Sequence, residues 1–96
     1  MALASWLAFR PIRMSLPREG SDARLAEFDR LFNQYSAPIY NYVMRMVGDA
    51  DRAADIAQDT FIKAYRKMDT LTEASAARSW IYRIATNTAI DSMRRS

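Results

Sequence analysis

The sequence predicts an all-α domain of three helices, the first of them kinked by a proline. Three observations carry that expectation. Apolar residues recur at three- and four-residue steps over most of the chain beyond residue 21. Nothing alternates over more than a few positions and the β-branched residues are scattered, so strands find no support. The third is punctuation: Pro38 inside the first stretch, Gly48-Asp49 before the second, and the capping-rich run DTLTEASAA (Asp69 to Ala77) before the third.

Residues 1–21 hold Pro11, Pro17 and Gly20 without sustained periodicity, so a poorly ordered N-terminal arm is expected ahead of a helical domain at 22–96. Trp6, Leu7 and Phe9 could dock elsewhere, and Met14 offers an alternative start because the organised sequence begins only after it. The opening MALASWLAF is far short of the roughly 20 apolar residues that span a bilayer. It also lacks the basic segment that precedes a secretory signal core. A soluble, cytoplasmic chain with no membrane insertion is therefore expected.

Ser21 or Asp22 can cap the first helix. Leu25, Phe28, Leu31, Phe32 and Tyr35 form its apolar stripe, continued beyond Pro38 by Ile39, Tyr42, Val43 and Met46. The residue before a proline resists helical torsions, so a break or kink is expected near Ser36–Ala37. Gly48 supplies the stop and Asp49 the next N-cap, with Asp51 in the first turn to meet the helix dipole. The second helix offers Ala53, Ala57, Phe61, Ala64, Tyr65 and Met68 to a core. Asp69–Ala77 reads as a loop, and the third helix starts at Ser75 or Ala76 and runs to about Arg94. Ile81, Ile84, Ala85 and Thr88 form its packing stripe, with Tyr82 also expected inside.

Composition removes several functions. The 96 residues make one small domain without a single cysteine or histidine. Disulfides, thiolate and imidazole metal sites and the commonest general base are thereby absent. With Gly20 and Gly48 as the only glycines, no glycine-rich phosphate loop can form. No enzyme activity and no cofactor are expected. The net charge of +3 is unevenly spread. From Ala74 onward four arginines face one aspartate, whereas Asp49 to Asp59 holds four aspartates against Arg52. One basic and one acidic element suit two different surfaces.

On the third helix Trp80, Arg83, Asn87 and Arg94 share a stripe at offsets of three, seven and fourteen, with Arg95 beside it. Aromatic, amide and guanidinium groups on one side suit a nucleic-acid strand: rings stack on unpaired bases, an amide reads a base edge, and guanidiniums hold phosphate. A solvated arginine face on an ordinary amphipathic helix accounts for the same pattern, and Arg94 and Arg95 suit a helix C-terminus in any case. On the second helix Asp55, Gln58, Asp59 and Ile62 line up at offsets of three, four and seven. They make a docking strip for a basic, partly apolar partner helix. The same strip is also what a solvated acidic face near a helix N-terminus looks like. Two carboxylates alone hold a divalent metal only weakly.

Taken together, DIAQDTFIKAY (Asp55 to Tyr65) and WIYRIATNTAIDSMRR (Trp80 to Arg95), preceded by the proline-interrupted first helix and the Gly48-Asp49 turn, resemble region two of bacterial sigma factors. The likeness is strongest to the extracytoplasmic-function group and covers about residues 25–96. It implies a sigma factor domain for transcription initiation, in which Asp55, Gln58, Asp59 and Ile62 dock on the clamp helices of the RNA polymerase β′ subunit. It further implies that the loop and last helix recognise and melt the promoter minus-ten element and hold a flipped base of its non-template strand. Asn87 and the loop near Thr72–Ala77 would form the base pocket, Arg83 and Arg94 would follow the strand, and Trp80 would support the site or aid melting.

An anti-sigma factor is an implied partner. The loop lacks the aromatic and glycine residues often found there in relatives. Members of the group continue to a second domain that reads the minus-35 element. Here the chain ends at Ser96, so a fragment of a longer protein is expected, an unusual single-domain relative being the alternative. Two other functions fit less of the sequence. A sigma-like module that binds an anti-sigma factor without touching DNA has no need of the stripe from Trp80 to Arg94. A duplex-reading helix-turn-helix has its recognition helix after a tight turn, not a loop of six to nine residues.

Overall fold

A computed structural model describes residues 22–95. It holds three helices, α1 (Asp22–Val47), α2 (Ala50–Arg66) and α3 (Ala77–Arg95), with short 3-10 turns at Met68–Thr70 and Ala74–Ala76 between the last two. No strand occurs among the described residues. Ser21, one of the two expected caps of α1, and the N-terminal arm lie outside them.

The α1–α2 connection is two residues long, and both do what their chemistry favours. Gly48 has φ +73 and its N–H bonds the Met44 carbonyl at 2.8 Å, closing α1 with a left-handed residue. Asp49, in extended backbone, accepts the Arg52 N–H on Oδ2 at 3.0 Å and so caps α2. That tight turn folds α2 back along α1.

The core is a single cluster drawn from all three helices. From α1 come Phe28, Leu31, Tyr35, Ile39 and Val43, in the expected stripe. Tyr40 and Ser36 are also buried, because α1 packs against both α2 and α3 and its inward face is wider than one stripe. Four rings, Phe28, Phe32, Phe61 and Tyr65, meet largely edge-to-face with centroids 5.1 to 6.3 Å apart. At the helix crossings small residues prevail: Ala53, Ala57, Ala64, Ala85 and Ala89 are buried and let the backbones approach closely. Buried Thr60 and Thr88 return their hydroxyls to their own helices, bonding the Ile56 and Ile84 carbonyls at 2.7 Å. Tyr65 and Tyr82 pack on this core from its edge, half-buried.

Two expectations are refined. α1 does not break at Pro38. Proline removes the bond to the carbonyl four residues back, which belongs to Gln34. Both residues are exposed, so water can serve that carbonyl, while fully buried Ile39 and Val43 hold the following turn in place. The stretch after α2 is a loop only in part. Met68 is buried and Leu71 half-buried, and the two 3-10 turns carry the chain to α3, which begins at Ala77.

Candidate functional site

The charged residues singled out in the sequence fall on two separate surfaces. The first is a groove of about 390 Å³ between α2 and α3. Asp55, Gln58, Asp59 and Ile62 form the α2 wall, and Thr88, Ser92 and Arg95 stand on the α3 side. The four α2 residues sit together because offsets of three, four and seven return to one helix face. Asp55 and Asp59 are exposed, while Gln58 and Ile62 are half-buried. Ile62 therefore lends the groove an apolar wall instead of standing alone in water.

Lys63 crosses the groove floor. Its Nζ donates to Thr88 Oγ1 at 3.2 Å and stands 3.9 Å from Asp59 Oδ2. Because Thr88 already donates to Ile84, its oxygen has a lone pair left for the ammonium. This link joins the acidic strip to the helix behind it, and its only trace in the sequence is a lysine four residues after Asp59. The groove as a whole is acidic at its rim, with a cation at its floor and another at its end.

The second surface is the outer face of α3. Arg83, Asn87 and Arg94 are exposed along it, and no hydrogen bond or ion pair holds any of them among the described residues. Ile90, 36% exposed, belongs to the same outward side, and Met93, 38% exposed, stands on its flank. Neither was singled out in the sequence, although Ile90 follows Arg83 by seven residues and Asn87 by three, the spacing of a shared face. This surface thus carries two guanidiniums, an open amide and apolar side chains.

Two further residues expected to serve the strand make contacts of their own. Trp80 is half-buried against the core, and its Nε1 donates to Thr70 Oγ1 at 3.0 Å. Thr70 Oγ1 in turn donates to the Lys67 carbonyl at 2.7 Å. The edge of the indole is thereby tied to the loop. Arg95 lies in the α2–α3 groove, since each step along a helix rotates the side chain by about 100° and carries it away from Arg94.

A third cluster braces α3 against α1. Tyr42 and Tyr82 meet edge-on at 5.0 Å, the Tyr42 hydroxyl bonds Thr86 Oγ1 at 2.7 Å, and the Arg78 guanidinium lies 5.2 Å over the Tyr82 ring. It fixes the rotation of α3 about its axis, and so decides which residues face outward. Among the described residues no three acidic, histidine or cysteine side chains are grouped to hold a metal, and no helix is long and apolar enough to cross a membrane.

Comparison with known proteins gives one consistent family. The Sigma-70 region 2 family matches residues 31–96. The RNA polymerase sigma-H factor of Pseudomonas aeruginosa is 47% identical over 62 residues, 65% of this chain and 32% of that protein. The ECF RNA polymerase sigma factor SigW of Bacillus subtilis is 40% identical over 68 residues, 71% of this chain and 36% of its own length. The ECF RNA polymerase sigma factor SigL of Mycobacterium tuberculosis is 32% identical over 73 residues, 75% of this chain and 41% of its own. The chain thus spans between about 32% and 41% of the length of these relatives. No solved structure matches it.

Proposed function

The chain belongs to the Sigma-70 region 2 family, and from that premise we propose that it serves transcription initiation as the part of a sigma factor that both docks on RNA polymerase and reads the promoter. The observation that carries this is the division of labour across α3: an acidic groove on one side, a basic and partly apolar face on the other. A protein that must hold a large enzyme and a DNA strand at once needs two such surfaces on one rigid body.

In this reading the groove receives a clamp helix of the β′ subunit. Asp55 and Asp59 meet its cations, Gln58 adds a hydrogen-bonding amide, and Ile62 covers apolar surface. Arg95 shares the groove, so we assign it to the polymerase side and not to DNA. The opposite face takes the non-template strand of the minus-ten element. Arg83 and Arg94 hold phosphates, while Asn87 and the loop at Thr72–Ala77 meet a base turned out of the stack. Extruding one base costs a few kcal/mol, offset by stacking and by contacts to its exposed edge. Nothing in that sequence of events requires bond chemistry by the protein, which accords with a non-enzymatic role. An anti-sigma factor is the further partner we propose, since covering either surface silences the protein.

The test is capture of purified RNA polymerase core by the chain, beside the double variant Asp55→Arg, Asp59→Arg. Both residues are exposed, so the variant should fold. Capture by the parent and its loss in the variant is the expected outcome. Undiminished capture by the variant overturns the docking assignment. A folded parent that captures no polymerase points instead to a module that binds only an anti-sigma factor.

A further inference from the structure

The start of the α2–α3 loop is fastened at three consecutive residues. Met68 is buried in the core. Asp69 lies 3.7 Å from Arg24 of α1, whose guanidinium also sits 5.5 Å over the Tyr65 ring. Thr70 joins α3 to the end of α2, accepting from the Trp80 indole at 3.0 Å and donating to the Lys67 carbonyl at 2.7 Å. The far end is fixed as well: Ala77 is buried, and Ser79 Oγ donates to the Ala76 carbonyl at 3.3 Å. Between these anchors Thr72 to Ala76 are all exposed. Five exposed residues held at both ends make a presented segment, not a slack linker.

We propose that Thr70 is a positioning residue for strand recognition: by engaging the Trp80 indole it sets the 72–76 segment in one conformation beside the α3 face, ready for an unpaired base. The proposal rests on the strand-reading role assigned above to α3 and this loop. It also gives Trp80 a definite task. The indole N–H is committed and the ring packs on the core, so Trp80 acts as a strut. Preorganisation matters here because a segment that must order itself on binding gives up part of its contact energy, and sequence discrimination suffers first.

Thr70 and its bond to Trp80 are exposed, so removing the hydroxyl leaves the fold standing. Thr70→Val keeps the side-chain shape and deletes the hydroxyl; Thr70→Ser keeps the hydroxyl. The full chain and both variants are compared in amide exchange across residues 71–76, in sequence enrichment from a randomised single-stranded DNA pool at low salt, and in capture of polymerase core. Thr70→Val is expected to exchange these amides faster and to lose sequence enrichment by roughly tenfold, the scale of one hydrogen bond. Core capture stays unchanged, and Thr70→Ser restores both other properties. Unaltered exchange in Thr70→Val overturns the strut, and faster exchange with full enrichment overturns its role in recognition. A parent chain that enriches no sequence overturns the strand-reading role itself and this proposal's functional half with it. That failure is distinguishable, because exchange is measured without DNA.

Discussion

Asn87 sits in mid-α3, exposed, where asparagine is a poorer helix former than alanine by about 0.5 kcal/mol. No described residue takes up its amide, so its stability effect and its proposed recognition effect have opposite signs. Asn87→Ala should raise the unfolding free energy by a few tenths of a kcal/mol. It should also weaken binding to the preferred single strand by about 1–3 kcal/mol, and other strands much less. Thermal unfolding and strand titration on the same samples check both halves, and equal loss on every strand would remove the base-reading role. Trp80 marks the limit of reading at this scale. Periodicity gives the direction in which a Cα–Cβ bond leaves the helix, and for short Asn87 that nearly settles the matter. A tryptophan is long enough to lie back over a neighbouring segment, and its partner Thr70 stands ten residues away in a loop with no periodicity to read. Arg95 was legible in principle, because one step past Arg94 turns the side chain out of the stripe.

At the scale of elements, helix ends were the most legible features, since each rests on local chemistry alone. Gly48 and Asp49 stop one helix and start the next as their residue types require. Pro38 was less so: its local preference is to end a helix, but burial of Ile39 and Val43 outweighs it. The 3-10 turns around the loop were not legible, because short turns stabilised by Met68 packing and the Trp80 bond leave no repeating pattern. Gly48 allows a clean test of the turn. A Cβ there would meet no atom within 4 Å, so any loss on substitution comes from the backbone conformation at φ +73. Gly48→Ala should lower stability by about 1–2 kcal/mol, and Gly48→Asn by clearly less, because asparagine tolerates left-handed torsions. Chemical denaturation of the three proteins checks the order; equal losses would mean that the turn rearranges.

At the scale of the whole molecule, the body measures 38 × 26 × 22 Å, its long axis about the length of the 26-residue α1 alone. The tyrosine brace and the Lys63–Thr88 link hold α3 from both flanks, so the groove and the outer face keep a fixed relation. The separation of an acidic from a basic surface was legible in the uneven placement of charge along the chain. That Lys63, Thr88 and Ser92 complete the groove was not, because it depends on how α3 is rotated against α2. That separation makes the net charge of +3 a poor guide to DNA binding: only the arginines on the outer face should count. For a single strand, the logarithm of affinity falls with the logarithm of salt by about 0.7 for each phosphate neutralised. Replacing Arg83 and Arg94 together by glutamine should therefore flatten that slope by about 1.4 if each holds one phosphate. Arg95→Gln removes one charge, from the groove, and should leave the slope unchanged while weakening polymerase capture, whereas Arg94→Gln alone should flatten it by about 0.7. Strand titrations across a salt series check this. If Arg95→Gln flattens the slope as much as Arg94→Gln does, then Arg95 reaches the strand, and the last turn of α3 serves DNA on both sides.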